Sequence, residues 1–282
     1  MKIIDNIKDL KQEIAQLQGT IGLVPTMGAL HEGHKSLIQK AVSQTNNAVV
    51  SVFVNPIQFG ANEDLDKYPR TLEQDALMCA QAGVKILFAP KVEEMYGADK
   101  NNLTLICPPY FVVDKLCGKS RPGHFDGVCS VVAKLFNLTK ATHAYFGRKD
   151  AQQLFIIQKM VQDLNFNIQI IPCPIIREED NLALSSRNQY LKPQERKEAL
   201  SISQALFSAQ KMAQAGIKET RIIIDNSLKI MSGLDIEYIE FVDKNTFEFQ
   251  DEIDKNTIML IAARTPISNT RLIDNILLWE TI

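Results

Sequence analysis

The stretch Thr20-Ile-Gly-Leu-Val-Pro-Thr-Met-Gly-Ala-Leu-His-Glu-Gly-His34 constrains the fold of this chain more than any other. Ile21, Leu23 and Val24 predict a short buried strand ending at Pro25. Gly28 and Gly33 loosen the backbone after it, and Ser36-Leu-Ile-Gln-Lys-Ala-Val42 opens an apolar-periodic helix. A strand feeding a glycine-bearing turn and a helix N-terminus is an arrangement that binds phosphate. Free N–H groups and the positive end of the helix dipole both favour an anion there.

His31-Glu-Gly-His34 marks this turn out. Two imidazoles three residues apart near a helix start lie on one face, close enough to touch one polyphosphate. The dipole disfavours imidazolium and a bound triphosphate restores it, so the pair can donate hydrogen bonds or a proton as charge builds. The chain has four histidines, and two in one turn favour chemistry over a pair of surface side chains. Zinc fits less well. The spacing is wrong for a His-Glu-x-x-His helix, and no Cys-x-x-Cys pair completes a tetrahedron.

The 282 residues suit one large or two modest domains with a substantial core. A net charge of −2 gives no global electrostatic case for a nucleic-acid or membrane partner. Five cysteines (Cys79, Cys107, Cys117, Cys129 and Cys173) are odd in number and scattered, as reduced thiols of a cytosolic protein are. Met1 to Asp9 carries charges where a signal peptide needs an apolar run, and no apolar stretch approaches membrane-spanning length. A cytoplasmic location is the expectation.

Along the chain, Ile3 to Leu17 predicts an amphipathic helix, with Ile7, Leu10, Ile14 and Leu17 at helical spacing. Ala48 to Val54 is a continuous apolar run, as a strand covered on both faces requires, and it leads into Asn55-Pro-Ile-Gln-Phe59. Amides after a parallel strand sit at the carboxyl edge of the sheet, where α/β proteins bind ligands. Gln58 can donate and accept at once, which suits a substrate with a hydroxyl and a carboxylate; an Asx turn closed by Pro56 would use the same residues. Asn62 to Arg70 reads as a polar loop over the site. Thr71 can cap a helix to about Ala82, and Lys85 to Pro90 predicts a further strand. Asp75 is a candidate magnesium ligand, unless it only belongs to the solvated face of that helix.

Gly118-Lys119-Ser120 invites a P-loop reading, which fails because Val113 stands where the first glycine is needed. Arg121 and His124 precede an apolar helix over residues 128–138, another place for an anion. After the strand ending Ala144-Tyr-Phe146, Gly147 permits close backbone approach and Lys149 offers a compact charge to a phosphate. Asp150 either caps the helix that follows or takes a ribose hydroxyl. Asn167 to Pro172 alternates as a strand. Ser185 and Ser186 beside Arg187 can wrap a polyphosphate, with Arg187 following charge onto the leaving group, or they form a turn that caps the next helix. From Lys192 a long helix, a second through Ile230, and strands near 236–242, 257–263 and 272–279 make a small α+β domain, read as a lid.

Taken in order, the Pro25–His34 string, Asn55-Pro-Ile-Gln-Phe59, Arg121-Pro-Gly-His-Phe125, Gly147-Arg-Lys-Asp150 and Ser185-Ser-Arg-Asn188 resemble the signatures of the pantoate–β-alanine ligase family. That family lies within the nucleotidylyltransferase superfamily, which includes class I aminoacyl-tRNA synthetases. The resemblance covers nearly the whole chain. It implies a Rossmann-like parallel-sheet domain over residues 1–175 and a smaller α+β lid over 176–282. It further implies ATP-dependent condensation of pantoate with β-alanine through a pantoyl adenylate, Mg2+ carried mainly on the ATP phosphates, and a homodimer.

On the same resemblance, Met27, Gly28, His31, Gly33 and His34 are ATP contacts, as are Gly147, Lys149 and Asp150. Ile176, Leu184, Ser185, Ser186 and Arg187 complete that set. Asn55, Gln58, Arg121 and Gln153 are implied for pantoate and β-alanine. His34 is implied as proton donor to the departing phosphate, with His31, Lys149 and Arg187 sharing the catalytic work. Two departures stand out: Cys117 precedes Gly118 where a glutamate is frequent, and Leu184 replaces methionine at conserved volume. A nucleotidylyltransferase for a phosphorylated acceptor is the rival reading, but it needs cations where this chain has Asn55 and Gln58. A non-catalytic ATP sensor would leave Gln58, Gln153 and the Ser-Ser-Arg segment unused.

Overall fold

Continuous apolar runs dominate the first half of the chain, and they become strands covered on both faces. The computed structural model describes residues 1–60, 63, 65–99 and 102–279. Its two compact units are Met1–Arg148 with Gln152–Pro174, and Lys149–Ala151 with Ile175–Ile282. Lys149–Ala151 thus falls with the second unit, which a boundary at residue 175 does not express. Asn62 and Asp64 of the expected loop, and residues 280–282 of the expected lid, lie outside the described residues.

The first unit runs β1 (Lys2–Ile4), α1 (Ile7–Gln16), β2 (Ile21–Thr26), α2 (Glu32–Gln44), β3 (Asn47–Val52), α3 (Leu72–Gln81) and β4 (Ile86–Phe88). Short helices α4 (Val92–Tyr96), α5 (Tyr110–Val113) and α6 (Leu116–Ser120) lead to α7 (His124–Thr139), β5 (His143–Gly147), α8 (Ala151–Asp163) and β6 (Gln169–Cys173). The strands form one sheet in the order β1-β4-β3-β2-β5-β6, and every pair is parallel. From β2 the chain builds outward through β3 and β4, then returns to β5 on the other side. The β2/β5 junction is therefore the switch point of this α/β sheet, where ligands bind outside the strand ends. Val24, Val50, Leu87 and Tyr145 of the sheet pack with Leu37, Ile38 and Ala41 of α2 in one buried cluster.

Two local expectations change. Residues 3–17 split into a strand and a helix, because Lys2–Ile4 pairs in parallel with Ile86–Phe88 and Asn6 caps α1 by accepting from Asp9 N. Pro25 does not end β2, which pairs with β3 through Thr26. Thr26 O accepts from Phe53 N of the β3 side, so Pro25, one residue back, turns its edge toward β5. Pairing with β5 has ended at Leu23, so the missing N–H breaks no ladder bond.

The second unit contains the start of α8, then α9 (Pro193–Gln214), α10 (Thr220–Ile230) and an antiparallel sheet β7 (Asp235–Asp243), β8 (Thr257–Arg264), β9 (Arg271–Leu277) with β8 central. Ala199, Ile202, Leu206 and Ala209 of α9 bury against Phe241, Met259 and Ile261 of the sheet. Glu195 ties the N-terminus of α9 to the β8–β9 connection by accepting from Lys192, Ile267 and Ser268 N–H groups. Burial pushes its carboxyl up, but these bonds outweigh it and hold the pKa at about 2. Among the described residues, no helix is long and apolar enough to cross a membrane.

Candidate active site

In the first unit the site is built on the turn between β2 and α2. Gly28 (φ 87°) and Ala29 (φ 51°) both take left-handed backbone, and a Cβ on Gly28 would stand 2.9 Å from Val52 and 3.0 Å from Asp75. Only glycine fits that position. Ala29 carries the strain of a left-handed L-residue, and Asp75 holds it there. The carboxylate is buried and accepts Ala29 N–H on Oδ2 (3.0 Å) and Leu30 N–H on Oδ1 (2.8 Å), with Thr71 Oγ1 at 3.3 Å. This geometry gives Asp75 a structural task, bracing the turn that carries the histidines. Both of its oxygens are spent on the turn, and no group of three or more His, Cys, Asp or Glu suited to a metal occurs among the described residues.

Helix α2 starts at Glu32, four residues before the expected start, because the histidines themselves cap it. His31 is the N-cap, its Nδ1 accepting from Gly33 N (3.2 Å), and His34 Nδ1 accepts in return from His31 N (3.3 Å). The two rings stack at 4.1 Å between centroids, tilted by 38°. Gly33 is therefore part of the first helical turn rather than a loosened backbone. With Nδ1 accepting, each neutral imidazole carries its proton on Nε2. In that neutral form Nε2–H is the donor that the cap leaves to each ring.

The amides after β3 divide their roles. Asn55, 1% exposed, donates to Gln58 Oε1 (3.0 Å) and Gly127 O (3.1 Å) and accepts from Tyr96 OH (2.7 Å). Burial pushes the Tyr96 phenol up, so it stays a donor. Asn55 thus holds the turn and aims Gln58. Gln58 Nε2 meets Met27 Sδ at 3.2 Å, a weak acceptor that a substrate carboxylate or hydroxyl can replace. Helix α7 comes so close that a Cβ on Gly127 would sit 2.5 Å from Ile57 O.

Arg121 forks onto Glu63 at 2.6 Å on both oxygens, and its third nitrogen meets His124 Nε2 at 2.9 Å. His124 Nδ1 reaches Gln58 O at 2.8 Å. Burial raises the Glu63 carboxyl, and the Arg121 guanidinium outweighs it, so the pKa lies below its usual value. Arg121 is in this structure an anchor between residue 63 and the Gln58 turn. In α8, Gln152 is buried on Val112 O and Lys115 O, while Gln153 beside it is half-buried. A side chain on Gly147, at the carboxyl end of β5, would meet nothing within 4 Å.

The second unit gathers its own set. Residues Ile176 to Leu184 form a small hairpin, with Leu184 N on Ile176 O (3.0 Å) and Arg177 bridging Ala183. Ser185 Oγ then caps a 3-10 turn by accepting from Arg187 N (3.2 Å), and Asn188 ties the turn back to Glu178 and Ala183 O. Ser185 is thus a cap, while Ser186 and Arg187 are half-buried on the turn. Lys149, Ser185 and Asp274 line one small cavity. Asp150, exposed, immediately precedes α8.

Sequence reasoning missed Glu63, Tyr96, Asp274 and Asn275. Asp274 and Asn275 did leave a signal, two polar residues inside the apolar run 272–278.

The family model described as pantoate-beta-alanine ligase matches residues 2–277. A pantothenate synthetase of Clostridium novyi is 50% identical over 281 residues, covering 96% of this chain and 95% of that one. A pantothenate synthetase of Thermotoga petrophila is 46% identical over 99% of this chain and 100% of its own. The crystal structure of pantothenate synthetase from Thermus thermophilus superimposes with a TM-score of 0.92 at 39% identity, over 99% of this chain and 100% of that one. A pantoate-beta-alanine ligase from Francisella tularensis, complexed with beta-gamma ATP and beta-alanine, gives 0.80 at 35% identity, over 100% of this chain and 99% of that one.

Proposed function

This chain belongs to the pantoate–β-alanine ligase family, and from that premise we propose which of its residues carry the family's two half-reactions. It condenses pantoate with β-alanine at the expense of ATP, giving pantothenate, AMP and pyrophosphate through a pantoyl adenylate. In the first half, a pantoate carboxylate oxygen attacks the α-phosphorus and the bond to the β-phosphate oxygen breaks, releasing pyrophosphate. In the second, the β-alanine amine attacks the acyl carbon, the bond to AMP breaks, and the amine nitrogen loses its proton. A carboxylate is already nucleophilic, so the first step needs positioning and charge neutralisation more than a base.

The observation that carries the assignment is the reciprocal cap at His31 and His34, which fixes two Nε2–H donors at the positive end of α2. These donors, with Lys149, Ser186 and Arg187, take the phosphates and the charge developing on pyrophosphate. The main-chain groups of Met27, Gly28, Gly33 and Gly147 lie along the nucleotide, and Asp150 takes the ribose. Gln58 and Gln153 take pantoate, and Asn55 and Arg121 act by holding the Gln58 turn. Magnesium arrives with ATP. Among the described residues no group of three or more His, Cys, Asp or Glu stands ready to cage it. Five cysteines, none of them joined to another in a disulfide, accord with a reducing cytoplasm, and exposed Tyr110 and Phe111 offer an apolar surface for a second copy in a homodimer.

Pantoate-dependent exchange of labelled pyrophosphate into ATP, without β-alanine, tests the reading. Exchange that requires pantoate, and falls by at least about 100-fold in His34→Ala, is expected. Near-normal exchange in His34→Ala would remove the histidine pair from the chemistry. An acceptor-pocket rival is not favoured, because Asn55 and Gln58 provide amides and not the cations that a phosphorylated acceptor needs.

A further inference from the structure

We infer that Asp274 and Asn275 of β9 are positioning residues for Lys149, fixing the lysine relative to the hairpin that presents Ser185, Ser186 and Arg187. The inference rests on the reading of Lys149 as a phosphate-binding cation. Both residues lie in a strand paired along its length with β8, and they are 5% and 6% exposed. Each holds a different piece of the site. Asn275 Nδ2 donates to Lys149 O at 2.8 Å. Asp274 forks onto Arg177 at 2.5 and 3.0 Å, and its Oδ1 also accepts the Asn275 N–H at 2.8 Å. Arg177 belongs to the hairpin, bridging Ala183 and donating to Asn181 O at 3.2 Å. A continuous line of bonds therefore runs from the hairpin through Arg177, Asp274 and Asn275 to Lys149.

Stability alone is a poor explanation for this line. A buried ion pair is offset by the desolvation of its charges, and apolar side chains hold a strand at least as well. Its geometry is what an apolar strand could not supply. Lys149–Ala151 belongs to the second unit, although Arg148 and Gln152 on either side belong to the first. The Asn275 bond ties that tripeptide to β9, and Lys149 shares its cavity with Ser185 and Asp274. The fork from Arg177 takes the Asp274 carboxylate as its ion-pair partner, and the charge of Lys149 also acts on that carboxylate across the cavity they share.

The test crosses Asn275→Ala with Lys149→Met in pantoate-dependent pyrophosphate exchange. Asn275→Ala should lower kcat/KM for ATP on the order of 10- to 100-fold while KM for pantoate moves less than about threefold. Asn275→Ser, which keeps a donor, should recover part of the loss. In the Lys149→Met background the same Asn275→Ala change should cost less than about threefold more, because its route of action is gone. A full effect persisting in that background would make Asn275 merely structural. An Asn275→Ala enzyme within about threefold of wild type, beside a Lys149→Met enzyme whose exchange is strongly reduced but measurable, would overturn the positioning role and leave the lysine's intact. Normal exchange in Lys149→Met would overturn both. Should Asn275→Ala fail to fold, Asn275→Leu, which keeps the volume and likewise lacks a donor, carries the same cycle with the same outcomes.

Discussion

Replacing Asp75 with asparagine removes one charge and almost no volume, which makes it a clean probe of the turn that carries the histidines. The carboxylate accepts two main-chain N–H groups, at 3.0 and 2.8 Å, in a buried setting. Hydrogen bonds to a charged acceptor contribute roughly 1.5–3 kcal/mol each, so the pair contributes about 3–6 kcal/mol. Asparagine can keep one neutral bond, worth roughly 1 kcal/mol, and presents an N–H to the other donor. A net local loss of about 2–5 kcal/mol follows, against a turn that already holds Ala29 at φ 51°. Main-chain hydrogen exchange at Ala29 and Leu30 should accelerate by at least about 30-fold, since 1.4 kcal/mol is a factor of ten. Adenylation, read as pyrophosphate exchange, should fall on the order of 100-fold as the imidazoles lose their placement. Raising magnesium should not restore it. Rescue by excess magnesium with unchanged exchange at Ala29 and Leu30 would refute the reasoning and return Asp75 to the metal.

Gly127→Ala should raise KM for pantoate while leaving KM for ATP near wild type, because the new Cβ meets Ile57 O and the Gln58 backbone; overpacking of this kind costs roughly 1–3 kcal/mol in a thermal or urea melt. Unaltered KM for both substrates would show that the Gln58 turn is not under that constraint. For Glu63, the folded pKa lies below the unfolded value of about 4.3, so the tie to Arg121 contributes fully above that value and is lost only as pH falls through the depressed one. In Arg121→Met the main interactions opposing burial are gone, leaving only His124 and the Gly60 N–H, and an NMR titration of the Glu63 carboxyl should move upward; an unmoved titration would discount the ion pair.

The strand–turn–helix around residues 20–34 was legible because a buried parallel strand needs an unbroken apolar run, and that run meets a glycine that only left-handed backbone explains. The helix start was not. Cap rules are written for Ser, Thr, Asp and Asn, and here an imidazole Nδ1 does the accepting. Strand β1 hid inside a helical period because three edge residues carry too little pattern to compete with Ile7, Leu10 and Ile14. Asp75 looked like part of a solvated helix face, since its partners are 45 and 46 residues away and known only once α3 packs on the turn. The same holds, at greater separation, for Arg121 with Glu63 and for Asn275 with Lys149, 126 residues apart. Local chemistry named the groups proposed to meet substrate, and long-range packing decided which groups hold them in place.

That distinction matters most for the two imidazoles. Both are committed at Nδ1 to main-chain N–H groups of the same helix start. Protonating either Nδ1 would set one N–H against another and place a cation at the positive end of the α2 dipole. The cap therefore adds to the dipole in working against imidazolium before a nucleotide binds. What the neutral rings retain is Nε2–H, a donor whose direction the cap fixes before any nucleotide arrives. Pyrophosphate is a stable anion and leaves without needing a full proton, whereas the charge growing on its bridging oxygen gains most from donors already in place. A pair of histidines locked by their own helix start is thus better suited to electrostatic stabilisation of the departing group than to acid catalysis.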